Sequence, residues 1–371
     1  TTILTSSLYI STTTWSSFKK ALTMQGATWS SPVFSSLTET GMMQTILKVL
    51  NRMLDHLVCA GLQAFQRKIR KPILVGAEQY GRVGNRLYLG AHLIAWAHRR
   101  NALLLHPGFH DYEDLFEGTC RDALVRYPEP REPLCLPPTP KAMLRHSIDR
   151  LSIYFLNREH STFQTLDLQP EGPDIAKTTF FDELTAKPIN FIRGFIYDNT
   201  CTHIVDAYPE IRHHYRPRQC YLPAIEDPIR NLRMTCDLVL GIVIRHGDFK
   251  SWQGGKFFFA TTEYVQFMDK CTDLLPNKKI GFFIASDEEQ DPNLFEHHTF
   301  HFRAGHPVEN LYALAACDGM LAAESSFTGW SQYYGNVPAW FMRRDSDRDS
   351  FRKMLDNALQ KAADRKQGQA A

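Results

Sequence analysis

The chain has 371 residues, of which 43% are hydrophobic and 22% charged, a composition typical of a folded globular protein. Its length exceeds the usual size of a single hydrophobic core and favours about two domains. Its 42 lysines and arginines against 40 acidic residues leave a net charge of +2, which excludes the strongly basic class that binds duplex nucleic acid.

The eight cysteines are scattered, with no CxxC pair and no zinc-like spacing. We therefore expect reduced, mostly structural thiols, no metal and a cytoplasmic location. Neither a signal sequence nor an apolar run of membrane-spanning length is visible, so no anchor is expected. Because the net charge of the whole chain is small, an anionic ligand must be bound by cationic or N–H groups gathered at its own site.

The first 70 residues divide into a polar stretch and one helix. Residues 1–41 are rich in Ser and Thr and show no sustained period, which predicts a disordered tail. From 42 to 70, apolar residues recur every three or four positions, which predicts an amphipathic helix. Its basic end, QRKIRKP, either makes a peripheral contact with the inner face of a membrane or belongs to a helix packed on its own domain.

The next segment opens an N-terminal α/β lobe, expected at 71–230. Its pattern predicts a buried strand at 73–75, a helix at 85–99 and a second strand at 102–105. The loop YGRVGNRL carries Gly81 and Gly84 but lacks the Lys of a Walker loop and the third Gly of a dinucleotide fingerprint. These glycines bind phosphate or simply allow close packing, and Asn85 caps the helix or reaches into an interdomain cleft. A Pro-rich connector at 126–141 then interrupts regular structure.

The second half alternates strands and helices, which predicts a C-terminal Rossmann-like lobe at 231–345, followed by a helix and tail at 346–371. Such alternation implies a mostly parallel sheet that is covered on both faces. Ligands bind at the carboxyl ends of the strands in these sheets, so the residues after each strand are the candidate site. Strands are expected at 238–244, 280–285, 299–302, 320–323 and 339–342, with helices at 261–274, 307–317 and 327–334.

Three polar segments follow predicted strands at that edge. Arg245 ends the strand in VIRHGDF, and an arginine can bond two phosphate oxygens at once, although a surface ion pair is the alternative. Ser286 and Asp287 follow a second strand, and Ser325 and Ser326 begin a helix. Each of these side chains is a helix cap, a ligand contact or both. Backbone N–H groups at such a helix start suit a pyrophosphate.

The sequence Arg-His-Gly-Asp at 245–248 allows a second function. It resembles the RHG signature of histidine phosphatases, in which His246 would be phosphorylated. That mechanism needs a second His with a neighbouring acid, assembled after the motif. The 125 residues that follow His246 contain four histidines, none in an obvious His-Asp pair, and the long segment before the motif would have no role.

A more specific resemblance uses five segments in order. GRVGNRLYLGAHLIAWA, RGFIYDNTCTHIVDAYPEIRHHYRP, VIRHGDF, FIASDEE and VENLYALAACDGMLAAESSFTGWSQYYGN resemble the GDP-fucose-dependent fucosyltransferases, most of all the α1,2 family, with a pattern shared by α1,6 and protein O-fucosyltransferases. The resemblance implies a GT-B-like α/β fold of two Rossmann-like lobes around an interdomain cleft. It also implies an inverting transfer of fucose from GDP-fucose to a glycan hydroxyl, without a metal or other cofactor.

The resemblance also implies roles for individual residues. Arg245 falls on the family's essential arginine, which contacts the donor diphosphate, and is expected to be catalytic together with Asp248. Asp248 either accepts the acceptor's proton, a role also open to Glu324, or orients Arg245. On the acceptor side, His246 is expected to line the cleft or to act as a base, and Trp252 either stacks on a sugar ring or packs under its loop. The expected donor-binding residues are Gly84, Asn85, Arg245, Ser286, Asp287, Glu309, Asn310, Ser325, Ser326 and Phe327.

Two positions depart from the family pattern. Val243 stands where the family often has a His, and Asn310 stands where an Asp often reads the guanine edge. A neutral Asn does not offer the paired acceptors of a carboxylate, so either Glu309 replaces that group or the donor is not GDP-linked. The same departures leave open a third function, a sugar-nucleotide or glycan-binding protein whose catalysis has lapsed.

Overall fold

The computed structural model describes residues 41–168, 184–196, 202–343 and 348–370. The tail predicted at 1–41 lies outside these ranges except for its last residue. No helix in the described ranges has both the length and the apolar character needed to cross a bilayer. The described cysteines, seven of the eight, are all free thiols.

The first half of the chain forms one sheet with its covering helices. The helix predicted at 42–70 and the strand predicted at 73–75 are both present, with bounds shifted by one residue. Three strands, β3, β4 and β5, and three helices, α3, α4 and α5, were not predicted, and β3 and the start of α3 lie in the Pro-rich connector that was expected to interrupt regular structure. The elements are α1 (Gly41–Ile69), β1 (Ile73–Gly76), α2 (Val83–Arg99), β2 (Leu103–Leu105), β3 (Arg126–Tyr127), α3 (Pro138–Tyr154), β4 (Phe163–Leu168), β5 (Ile189–Gly194), α4 (Thr202–Asp206) and α5 (Tyr208–His214).

The second half forms the other sheet. Its central strands are buried along their whole length, as their unbroken apolar runs predict for strands covered on both faces. All five predicted strands and all three predicted helices are present within about two residues of their expected bounds. The elements are α6 (Leu222–Thr235), β6 (Leu238–Ile244), α7 (Thr261–Leu274), β7 (Ile280–Ser286), β8 (Thr299–Ala304), α8 (Pro307–Ala316), β9 (Gly319–Ala323), α9 (Ser326–Gly335), β10 (Ala339–Met342) and α10 (Arg348–Ala370).

Among the residues described, each sheet has five strands and a point where the strand order reverses. The second sheet has the order β10-β9-β6-β7-β8 and all its pairings are parallel. Counted within the lobe this is 5-4-1-2-3, the strand order of a Rossmann half, with its crevice between β6 and β9. The first sheet has the order β3-β2-β1-β5-β4, parallel except that β3 runs antiparallel to β2. The predicted α/β fold class of two Rossmann-like lobes is confirmed.

The helix α2 joins the two lobes. It is buried on nearly all sides, because its apolar residues are not restricted to one face. The Trp330 ring on α9 contacts Tyr88 of α2 edge-on at 5.8 Å and Tyr215 at 5.7 Å between ring centroids. One hydrophobic core therefore continues from the first lobe into the second and fixes how α2 and α9 lie against each other.

Candidate functional site

The candidate site lies at the carboxyl ends of β6 and β9, where the strand order of the second sheet reverses. These two strands are direct neighbours, with Val243 opposite Ala322. Arg245 is the first residue after β6, and Ser325 is the second residue after β9. The topology thus brings together two of the segments that the sequence singled out. Val243 itself is buried within β6, so it contributes no polar group to this edge.

Arg245 is held by its neighbours with part of its guanidinium left over. Its Nη2 lies 3.1 Å from both carboxylate oxygens of Asp248, and its Nε lies 3.3 Å from Oδ1. The guanidinium carbon lies 4.6 Å from the centre of the Phe249 ring. Within the described chain, Nη1 of Arg245 has no hydrogen-bond partner. Asp248 therefore holds one edge of the guanidinium and Phe249 covers one face. The N–H groups of Nη1 remain available to an anion.

Arg82, which the sequence analysis did not select, brings a second positive charge to the same carboxylate from the other lobe. Its Nη2 lies 3.8 Å from Oδ2 of Asp248, and 65% of its side chain is exposed. Arg82 immediately precedes α2, so this contact spans the cleft between the lobes. The loop motif contains Arg82, but no local pattern distinguishes it from a surface arginine, because the contact joins residues far apart in sequence.

The first turns of α2 and α9 meet at the cleft. Ser326 donates a hydrogen bond from its hydroxyl to Oδ1 of Asn85. Gly84 allows this approach, since a Cβ there would lie 2.7 Å from the backbone nitrogen of Phe327. One turn later Tyr88 contacts Trp330, so the two helices run in the same direction with their N-termini side by side. Two positive dipole ends and their free N–H groups therefore point to one place, an arrangement that an anion would stabilise.

Other predicted donor residues hold the loops around the site. The hydroxyl of Ser325 accepts from the backbone N–H of Thr328 at 3.2 Å, and Thr328 Oγ1 in return accepts from the N–H of Ser325 at 3.2 Å. This reciprocal cap explains why α9 begins at Ser326. Asp287 accepts from the backbone N–H of His246 at 2.9 Å, and Ser286 accepts from the N–H of Glu288 at 3.2 Å. Ser325, Ser286 and Asp287 thus fix the backbone on either side of Arg245.

His246 and Trp252 occupy different surroundings. His246 is 8% exposed, and its Nε2 lies 3.0 Å from the carbonyl oxygen of Phe259. Nε2 must therefore carry the proton, and Nδ1 then accepts from Gln290 Nε2 at 3.5 Å. Trp252 is 46% exposed and stacks on Phe257 with ring centroids 5.1 Å apart. The side chain of His246 therefore holds the loop through its two ring nitrogens, whereas the Trp252 ring is partly open to solvent.

The two residues considered for base recognition lie in the first turn of α8. Glu309 forms an ion pair with Arg303, with Oε2 2.8 Å from Nη1. Asn310 is 3% exposed, and its Oδ1 has no hydrogen-bond partner among the residues described. Of the two, Glu309 carries the charge and the greater exposure, while the amide of Asn310 faces the interior.

A further set of contacts joins the loops at the carboxyl edge of the first sheet. Glu78 accepts from the backbone N–H of Gly194 at 2.7 Å and pairs with Arg193 at 3.0 Å. The Tyr80 ring stacks on Phe195 with centroids 5.3 Å apart and planes 6° apart. Sequence reasoning missed Glu78 and Tyr80 because β5, which positions their partners, was not predicted.

Two fully buried histidines lie beneath this edge. Burial, together with the charges of His214 and Arg86, lowers the pKa of His106 to about 3. Burial likewise lowers the pKa of His214 to about 3, with a smaller contribution from His213. Both imidazoles are therefore neutral near neutral pH. No three His, Cys, Asp or Glu side chains in the described ranges are grouped as metal ligands.

The fold defines a two-lobed α/β protein of the GT-B type, with the candidate site in the cleft between its lobes. No protein-family model and no curated protein sequence matches the chain. Among solved structures, a point mutant of Arabidopsis thaliana FUT1 in complex with GDP is similar in fold. It is 14% identical in sequence, with a TM-score of 0.50, and the match covers 75% of this chain and 72% of that one. At this identity the likeness establishes the fold alone.

Proposed function

We propose that this protein is an inverting, metal-independent fucosyltransferase of the α1,2 type, which moves fucose from GDP-fucose to a hydroxyl of a glycan acceptor. The observation that carries the proposal is the convergence of Arg245 with the parallel N-termini of α2 and α9 at the reversal point of a Rossmann sheet. A structural neighbour that was solved with GDP supports a nucleotide in this cleft.

The arrangement suits the chemistry of sugar transfer from a diphosphate. Breaking the bond between fucose and the diphosphate builds negative charge on the leaving group. Arg245 and the first N–H groups of α9 would bind that charge, and both are held in place before the reaction. Preorganised donors of this kind lower the barrier most when they match the transition state. In this proposal the fixed protein charges do the work that a divalent cation does in other transferases.

Asp248 fits an orienting role better than a proton-accepting one. Both of its oxygens contact Arg245, and Oδ2 also faces Arg82, so both acceptor atoms are engaged by cations. The other candidate base, Glu324, forms an ion pair with Arg343 at 2.8 Å. A diphosphate that enters between the lobes would compete with Asp248 for Arg82, which is the more exposed of the two arginines.

The guanine base is assigned to Glu309 in this proposal. The side chain of Glu309 is 23% exposed and lies in the first turn of α8, whereas Asn310 is almost fully buried. A carboxylate offers two acceptors to the N1–H and N2–H groups of guanine, and uracil has no such donor pair. Selectivity for GDP over UDP therefore follows from Glu309 if Arg303 releases Oε2 of Glu309 when guanine binds.

The geometry of His246 favours the transferase over the histidine phosphatase. A phosphohistidine mechanism needs one imidazole nitrogen directed at the incoming phosphorus. Both nitrogens of His246 instead face protein groups, and the ring is buried against Phe258 with centroids 5.0 Å apart. A phosphate would have to displace the ring from its pocket before any attack.

The first test compares GDP, UDP and dTDP, each added to the full chain, by the shift in unfolding temperature. Binding to the folded state stabilises by about 2.7 kcal/mol at 100 times Kd, so a selective ligand is readily detected. We expect the largest shift for GDP and GDP-fucose. A larger shift with UDP would overturn the guanine assignment, and no shift with any nucleotide would refute the proposed donor site.

The second test separates a working enzyme from a lapsed binding protein. Purified protein is incubated with GDP-fucose alone and with a panel of β-galactoside acceptors, and released GDP and fucosylated product are measured. We expect slow hydrolysis without an acceptor and faster transfer with one. Tight GDP binding without any turnover of GDP-fucose would establish the binding-protein alternative instead.

A further inference from the structure

The helix α1 carries an exposed apolar stripe that its own domain does not use. Five large side chains along it are between 46% and 69% exposed: Ile46, Val49, Leu50, Met53 and Leu57. At 3.6 residues per turn these positions fall within an arc of about 100°. They therefore form one continuous strip about three turns long, unlike the single exposed apolar residues that are normal on protein surfaces.

A different face of the same helix anchors it to the protein. Val58 and Leu62 are buried in the core that α1 shares with α3 and the first sheet. Asp55 adds an ion pair to Arg150 of α3, with Oδ1 2.7 Å from Nη2. The packed face is centred about 150° around the helix from the exposed stripe. The stripe is thus presented outward by a helix that is already held in place.

The charges on and beside α1 are almost all positive. Its one carboxylate, Asp55, is neutralised by Arg150. In the described chain, none of the basic residues of this segment has a carboxylate partner. Two of them, Arg67 and Lys68, lie on the same arc as the apolar stripe, roughly three turns beyond Leu57. The basic residues are Lys48, Arg52, Arg67, Lys68, Arg70 and Lys71.

The apolar stripe and the unpaired basic residues of α1 together indicate what kind of partner this face binds. A second copy of the chain would bring the same unpaired cations to the contact, which opposes pairing. A bilayer with anionic headgroups matches both the apolar stripe and the basic residues of α1. Its headgroups attract Lys and Arg, and its headgroup–acyl boundary accepts apolar side chains from a helix that lies in the membrane plane. We propose that α1 docks this protein on an anionic lipid surface, with the stripe from Ile46 to Leu57 inserted.

The test uses the full chain and sedimented vesicles of phosphatidylcholine, with or without about 30% phosphatidylserine. We expect binding only to the vesicles that contain phosphatidylserine, with a partition coefficient that falls as salt is raised. The double variant Leu50→Glu with Met53→Glu should lower that coefficient by about tenfold or more. A second variant, Arg67→Glu with Lys68→Glu, should also lower it and flatten its salt dependence.

A matched control is available on another helix. Met234 of α6 is 73% exposed, even more than Met53 at 57%, but it belongs to no stripe. Met234→Glu should leave vesicle binding unchanged. All of these positions are exposed, so the variants should keep the unfolding temperature of the parent.

Three results would overturn the proposal. One is the absence of binding to phosphatidylserine vesicles by a folded chain. Another is an equal loss of binding in Met234→Glu and in the Leu50→Glu, Met53→Glu variant. The third is a parent that sediments as a dimer in solution, becomes a monomer with the Leu50→Glu, Met53→Glu changes and does not bind vesicles. That last outcome would identify a second copy of the chain as the occupant. None of these readouts depends on fucose transfer.

Discussion

Replacing Gly84 with Ala tests whether the contact between α2 and α9 builds the site. The added Cβ would lie 2.7 Å from the backbone nitrogen and 2.7 Å from the carbonyl carbon that join Phe327 to Ser326. Ordinary contact begins at 3.4 Å, so the start of α9 must move by about 0.7 Å, the difference between 3.4 and 2.7. Because the clashing atoms are backbone, no rotamer change relieves the overlap.

The expected cost follows from that displacement. Overpacking of this kind destabilises by about 1–3 kcal/mol. Alanine in place of glycine in a helix returns up to about 1 kcal/mol. A net loss of about 1–2 kcal/mol should lower the unfolding temperature by roughly 1–3 °C in a chain of this size. In the proposed donor site the N–H groups of α9 bind the diphosphate, so the shift should also weaken GDP binding, on the order of tenfold to a hundredfold.

Scanning calorimetry and titration with GDP measure the two effects separately. Gly61→Ala supplies the matched control, because a Cβ at that position of α1 meets nothing within 4 Å. This control should be neutral or stabilise by about 0.5–1 kcal/mol, and it should leave GDP binding unchanged. The reasoning fails if Gly84→Ala matches Gly61→Ala in both unfolding temperature and GDP affinity.

Three further predictions concern the proposed catalytic arginine, a buried carboxylate and the response to acid. Arg245→Ala should lower the rate of transfer about 10²-fold or more, whereas Arg230→Ala, which removes an exposed arginine that also pairs with an Asp three residues away, should not change it. Equal kinetics in the two variants, measured as GDP release, would contradict the role of Arg245. Asp318 is fully buried and pairs with two arginines, so Asp318→Asn should lower the free energy of unfolding by about 3–5 kcal/mol in urea titrations. An effect below about 1 kcal/mol would show that the buried charge of Asp318 does not stabilise the fold through its two arginines. His106 and His214 have folded-state pKa values of about 3, below the ordinary 6.5, so the unfolded state binds more protons as the pH falls. Stability should be complete above pH 6.5 and should decrease toward pH 3 by up to about 1.4 kcal/mol per histidine for each pH unit, and a flat profile between pH 6.5 and 4 would show that these rings are not buried as neutral imidazoles.

The amino-acid sequence by itself determined the elements whose signal is local. The apolar runs of β6 and β7 and the helical period of α1 report burial directly, so their bounds were predicted within a residue or two. The position of Arg245 after β6 followed from the same pattern. By contrast, β4 and β5 were missed, because the alternation in β4 is weak and β5 is a short run without clear alternation, although Pro188 precedes it and Gly194 ends it.

Only the tertiary structure decided which polar groups face one another. The bond from Ser326 to Asn85 joins residues 241 positions apart, and no periodicity encodes such a pairing. The approach of Arg82 to Asp248 from the other lobe has the same origin. Local sequence sets which face of each element is apolar, whereas the packing of α2 against α9 sets the distance between side chains that lie on different lobes. That packing is what turns separate loop residues into one candidate site for a diphosphate.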